Sequence, residues 1–156
     1  MPWNCVNSRK NDHQVFYFRL KNEELSNPLE FEVVSMNSYV NASEQLVVAL
    51  YVRDMKESSE FYQSYGFEVV RDEGTFVELK WEEARLFLSA VPGTPPPPAT
   101  PIGNMRVMVP DVDAYWRLAN KMGSQILSPI EDRYYGLRDF IIAGPDGLAL
   151  RFATWL

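Results

Sequence analysis

Cysteine and histidine each occur once in the 156 residues, as Cys5 and His13. A single thiol excludes an internal disulfide, and a lone histidine excludes the clustered imidazoles on which many zinc sites are built. Basic charge is also short. Fifteen Lys and Arg stand against 21 Asp and Glu, a net charge of −6. That balance argues against a nucleic-acid partner, because phosphate backbones are met by basic patches. Long apolar runs are missing too, and nothing approaches the ~20 residues of a membrane span. The N-terminus lacks the basic-then-apolar layout of a signal peptide, so no membrane partner and a cytoplasmic setting are expected.

What is present is a pattern stated twice. Leu46 to Val52 leads into Asp54, then Phe61 and Tyr62, then Gly66-Phe67; Asn104 to Val109 leads into Asp111, then Tyr115 and Trp116, then Gly123. The paired aspartates lie 57 positions apart, and so do the paired glycines. Each half reads as strand, helix and three strands. Asp54 and Asp111 suit the N-cap, where a carboxylate accepts backbone N–H groups that the first helical turn leaves free, and Glu57 completes a capping-box spacing. Gly66 and Gly123 suit the helix exits. Met55, Phe61, Tyr62 and Tyr65, and then Val112, Tyr115, Trp116, Leu118, Ala119 and Met122, recur at helical spacing and are expected in the core.

The fold class expected is α+β: two tandem βαβββ modules whose mixed sheets curl into a cleft, with helices packed outside. The modules are 46–90 and 103–155 within a domain of 46–156, joined by a proline-rich linker, 91–102. The run Pro95 to Pro98 is stiff and extended, and falls where the repeat needs a join. Residues 1–45 precede the repeat. His13 to Leu20 and Leu29 to Ser35 are rich in β-type residues; a hairpin, an added edge strand, or a loosely attached segment with Met36 as an alternative start all fit.

Alternation sorts four strands into two faces. Val48, Leu50, Val52, Leu86, Leu88, Met105, Val107, Val109, Leu148, Leu150 and Phe152 form an apolar set that should pack under the helices. The opposite face presents Tyr51, Arg85, Phe87, Asn104, Arg106, Met108 and Arg151 among small residues. Aromatic and thioether groups beside cations line a ligand cleft if the sheet curls. Pairing of the arginines with Glu78, Glu82 or solvent on an exposed sheet is the plainer account. The direction of Glu78 is open, since apolar groups flank it on both sides.

The segments Tyr51-Val52-Arg53-Asp54, Phe61-Tyr62, Gly66-Phe67, Val109 to Trp116, Tyr135 to Phe140 and Gly144-Pro145-Asp146-Gly147 through Phe152 resemble, in order and spacing, the vicinal oxygen chelate superfamily of glyoxalases, bleomycin-resistance proteins and extradiol dioxygenases. The resemblance covers about 45–155. It implies a metal held by one inward residue on the first and last strand of each module, positions that fall here on Val47, Phe87, Asn104 and Arg151. None is His or Glu, so no metal and no other cofactor is expected. What remains resembles the bleomycin-resistance branch, implying a homodimer with shared clefts that sequesters an antibiotic or other toxic compound.

Two other readings stand beside it: a metal-independent lyase- or isomerase-like enzyme using Glu78 or Tyr51 as acid or base, and a partner-binding module with a vestigial cleft and 1–45 as its arm. No catalytic residue is assigned. Cys5 has no neighbouring His. The pairs Asp111 and Asp113, and Asp72 and Glu73, are taken as caps and solvated ends.

Overall fold

A computed structural model describes residues 3–10, 13–20, 30–31, 44 and 46–156. It divides into two compact units, 1–45 and 46–156. In the first, β1 (Trp3–Lys10) pairs antiparallel with β2 (His13–Leu20) from Trp3↔Leu20 to Lys10↔His13, and β2 pairs with β3 (Glu30–Phe31). The candidate strand Leu29 to Ser35 is described only at Glu30–Phe31, and Met36 lies outside the described residues.

In the second unit the repeat becomes two like modules. The first holds β4 (Val48–Val52), α1 (Met55–Ser64), β5 (Glu68–Asp72), β6 (Phe76–Trp81) and β7 (Ala84–Ala90); the second holds β8 (Gly103–Met108), α2 (Val112–Lys121), β9 (Ile126–Arg133), β10 (Leu137–Ala143) and β11 (Leu148–Trp155). Their sheets run β4-β7-β6-β5 and β8-β11-β10-β9, so each module's first strand lies parallel to its last and takes the edge. The sheets stay separate, each open at that edge. β9 is longer than the expected Gln125 to Ser128, because Ile126–Arg133 continues along β10 through two register shifts.

The helices start and stop as their caps require. Asp54 Oδ1 accepts from Glu57 N–H at 3.0 Å, and Asp111 Oδ1 from Ala114 N–H at 2.9 Å. Gly66 and Gly123 leave with φ of 105° and 69°, a region that costs glycine little. No helix among the described residues is long and apolar enough to cross a membrane.

Both helices and the helix-facing sides of both sheets share one core. Val52, Tyr62, Leu79, Leu88, Phe140, Leu150 and Phe152 are buried there. Tyr65 meets Phe152 at 5.2 Å between ring centroids, and Tyr115 lies between Phe152 at 4.7 Å and Trp81 at 6.0 Å. Aromatic pairs at these separations add attraction beyond area alone. Met122 departs from the expected core set and is exposed, because the helix has already turned toward Gly123.

The linker is seated against the second module. Ile102 N–H donates to Gly147 O at 3.0 Å, and a Cβ built on Gly147 would stand 2.6 Å from Pro98 Cδ. Glycine is therefore demanded twice at this turn, by its φ of 78° and by the proline ring against it.

Candidate functional site

Strand register places the expected site residues on the sheet faces that turn away from the core. In the first module Ala49 pairs with Phe87 and Tyr51 with Ser89, so Tyr51, Phe87 and Arg85 share a face. In the second, Asn104 pairs with Ala149, Arg106 with Arg151 and Met108 with Ala153. The sorting into two sets holds: Leu86, Leu88, Val107, Leu150 and Phe152 are buried, whereas Tyr51 is 67% and Met108 36% exposed. Val48, from the expected core set, is exposed because it opens an edge strand.

The two faces do not come together within one chain. Each sheet spends its helix-facing side on the common core, so its other side looks outward. Among the described residues no hydrogen bond, ion pair or ring contact joins Tyr51, Arg85 or Phe87 to Asn104, Arg106, Met108 or Arg151.

On the first face Glu78 pairs with Phe87 and therefore points to the same side as Phe87, away from the core. It stands between Arg71 Nε at 3.6 Å and Arg85 Nε at 3.5 Å. Phe87 packs on Phe76 at 5.3 Å between centroids, and the Arg71 guanidinium lies 4.9 Å over Phe76. A cation over a ring face is attracted by the ring quadrupole.

On the second face the centre is Asp139, fully buried. Arg133 Nε donates to its Oδ1 at 2.8 Å, Arg151 Nε to its Oδ2 at 3.1 Å, and Tyr135 Oη to Oδ2 at 3.2 Å. Arg151 Nη2 also reaches Asp139 and Tyr135, and Glu131 meets Arg133. Burial pushes the Asp139 carboxyl up, but the hydrogen bonds and charges of Arg151 and Arg133 outweigh it and hold the group below its ordinary value. Burial likewise pushes Arg151 down, and its bonds to Asp139 and Tyr135 reverse that.

Two of the three expected ligand arginines, Arg85 and Arg151, are therefore ion-paired on their own face, as the plainer account anticipates. Arg106 is exposed and makes no ion pair among the described residues. Asp139 and Tyr135 are absent from the expected set. For Asp139 the signal was legible, since alternation along β10 sets it opposite Phe140 and Ile142, which lie in the core; Tyr135 sits in the turn before β10, where alternation reports nothing.

The positions expected to hold a metal do not fit one. They carry an isopropyl, a phenyl, a carboxamide and a guanidinium, and the guanidinium of Arg151 is fixed by Asp139. A divalent cation needs several convergent oxygen, nitrogen or sulfur donors, and Asn104 alone offers an oxygen. Among the described residues no three His, Cys, Asp or Glu side chains converge elsewhere.

A cavity not anticipated from the sequence, about 400 Å³, opens between β4 and the linker, with Tyr51, Arg53, Pro96, Ile102 and Asp146 in its walls. Asp146 hangs from the neighbouring turn. Its Oδ1 accepts from Ser58 Oγ at 2.9 Å, while its buried Oδ2 has no partner. Burial pushes this carboxyl up, Ser58 offsets part of that, and Glu57 adds to it.

Comparison with known proteins supports this architecture. Residues 45–152 match the family described as the Glyoxalase/Bleomycin resistance protein/Dioxygenase superfamily. No curated protein matches. A glyoxalase/bleomycin resistance protein/dioxygenase from Nocardioides is 20% identical with a TM-score of 0.60, covering 70% of this chain and 82% of its own. The bleomycin resistance determinant encoded on the transposon Tn5 is 23% identical with a TM-score of 0.58, covering 71% and 97%. A bleomycin-binding protein complexed with bleomycin is 24% identical with a TM-score of 0.57, covering 71% and 98%. At these identities the solved structures speak for the fold, and the family match extends over most of the chain. The chain belongs to the Glyoxalase/Bleomycin resistance protein/Dioxygenase superfamily.

Proposed function

We propose that this chain is a metal-free small-molecule binding protein that sequesters an antibiotic or other toxic compound in the cytoplasm. The observation that carries this reading is the pair of outward faces. Each sets aromatic or thioether groups beside arginines, and on this reading each is one wall of a cleft. A second copy supplies the other wall: the first module's face of one protomer closes over the second module's face of its partner. Exposed Tyr51 and Met108 then become buried, as large apolar groups on a functional surface tend to be. The donor set at Val47, Phe87, Asn104 and Arg151 favours binding without a metal. The solved bleomycin-binding relative favours a drug-like ligand. Glu78, the candidate acid or base, has both oxygens facing guanidiniums, which favours a structural anchor over a proton carrier.

The test is a thermal-shift screen of the purified protein against antibiotics, small carboxylates and divalent metals, with the mass measured by sedimentation. A ligand that prefers the folded state raises the melting temperature. A dimer mass, a shift with an organic compound and none with metals are the expected results. Phe87→Ala with Met108→Ala, one change on each face, should weaken that compound about tenfold or more, since each truncated side chain removes on the order of 1 kcal/mol or more of contact. Undiminished affinity in the double variant would remove the site assignment. Arg151→Ala is the wrong probe, because it takes one of two guanidiniums from the buried Asp139 carboxylate and so reads folding as well as binding.

A further inference from the structure

On the binding reading just given, the second module's face also fixes the charge of the ligand. Both faces are built around a carboxylate between two arginines, Glu78 between Arg71 and Arg85 and Asp139 between Arg133 and Arg151. The cations that β5 to β7 set on the first face balance: Arg71, Arg85 and Lys80 meet Glu73, Glu78 and Glu68. Those of the second do not. Arg133 and Arg151 meet Asp139 and Glu131, and Arg106, the register neighbour of Arg151, is left over. This local surplus is opposite in sign to the chain as a whole, whose net charge is −6.

Arg106 lies between Asn104 and Met108 on its face, whose register partners Ala149 and Ala153 are buried. In water an unpaired guanidinium on such a surface is tolerated. Once a second wall closes over it, the charge loses solvent and needs a counter-ion, since a desolvated cation without one is costly. A second donor is ready beside it: Arg151 uses Nε and Nη2 on Asp139 and Tyr135, and its Nη1 has no acceptor among the described residues. Asp139 thereby holds Arg151 in one orientation, so little side-chain freedom remains to be lost when an anion arrives.

We propose that the ligand is an organic anion with an apolar body, and that Arg106 receives its charged group with Nη1 of Arg151 as second donor. The guanidinium fork suits a carboxylate, sulfonate or phosphate oxygen pair.

The test is a fluorescence titration of the full chain with anilinonaphthalene sulfonate and with phenylnaphthylamine, the same ring system without the sulfonate, on wild type, Arg106→Gln and Arg106→Lys. Wild type should prefer the sulfonate, and the preference should fall as salt rises. Arg106→Gln should weaken sulfonate binding about tenfold or more, leave the uncharged probe unmoved, and be partly rescued in Arg106→Lys. Equal loss for both probes, or no loss, overturns the proposal. So does a change in oligomeric mass in Arg106→Gln, which would assign the cation to the seam between copies. If only the uncharged probe binds, the cleft stands and the anion falls; if neither binds, both fall together.

Discussion

Two aspartates in the second module, the buried Asp139 and the half-buried Asp146, carry opposite signs in the pH dependence of stability. Asp139 is held below its unfolded value of about 3.9 by two arginines, so its contribution is present above that value and is lost as pH falls through the lower folded one. Asp146 is pushed above the same unfolded value, chiefly by burial, with one oxygen unpartnered. Its contribution is present below about pH 3.9 and is lost as pH rises through the folded value. Urea denaturation across a pH series separates them. Asp139→Asn should cost about 3 kcal/mol at pH 7, because two guanidiniums lose a buried partner. Asp146→Asn should instead flatten the decline in stability on the way from about pH 4 to neutral. A steeper decline in Asp146→Asn, or a neutral Asp139→Asn, contradicts this assignment. Asp139 shows how sequence reading misses a residue of a candidate site. Its type and alternation were visible, but its value comes from Arg133 and Arg151, whose approach only the sheet register supplies.

Elements were the most legible level, because caps and turns are local. The N-cap aspartates, the exit glycines and the turn at 144–147 depend on neighbours within a few residues, and each stands where the spacing puts it. Strand ends were less legible, since β9 is prolonged by its partner β10 and not by its own composition. The seat of the linker was not legible at all. Pro98 meets Gly147 across a separation that no periodicity reports. That contact gives a graded prediction. Gly136→Ala, with φ of 85° and no atom within 4 Å of the added Cβ, should lose only the conformational cost of about 1 kcal/mol. Gly147→Ala should lose clearly more, roughly 2 to 3 kcal/mol by thermal or urea melts, since an overpacking term adds to the backbone one. Equal losses in the two variants would mean that the linker gives way and does not brace the turn.

At the scale of the molecule, the repeat foretold two modules and the alternation foretold two faces, and the first-module face alone added a residue whose direction the sequence left open, Glu78. What alternation does not report is where a face points. That depends on the helices, which draw both sheets onto one core and leave the candidate ligand walls back to back. The core residues named above all lie within the unit 46–156. A chain lacking residues 1–45 should therefore keep a single cooperative melt close to that of the full chain, and a large loss of stability or of dimer mass would make the first unit part of the working assembly. The back-to-back walls have a consequence for inheritance. On the proposed pairing, every cleft draws one wall from each copy, so a lesion at Phe87 in one allele and a lesion at Arg106 in another collide in one cleft of a mixed pair and spare the other. Two alleles that are each inactive alone then complement one another in the same cell.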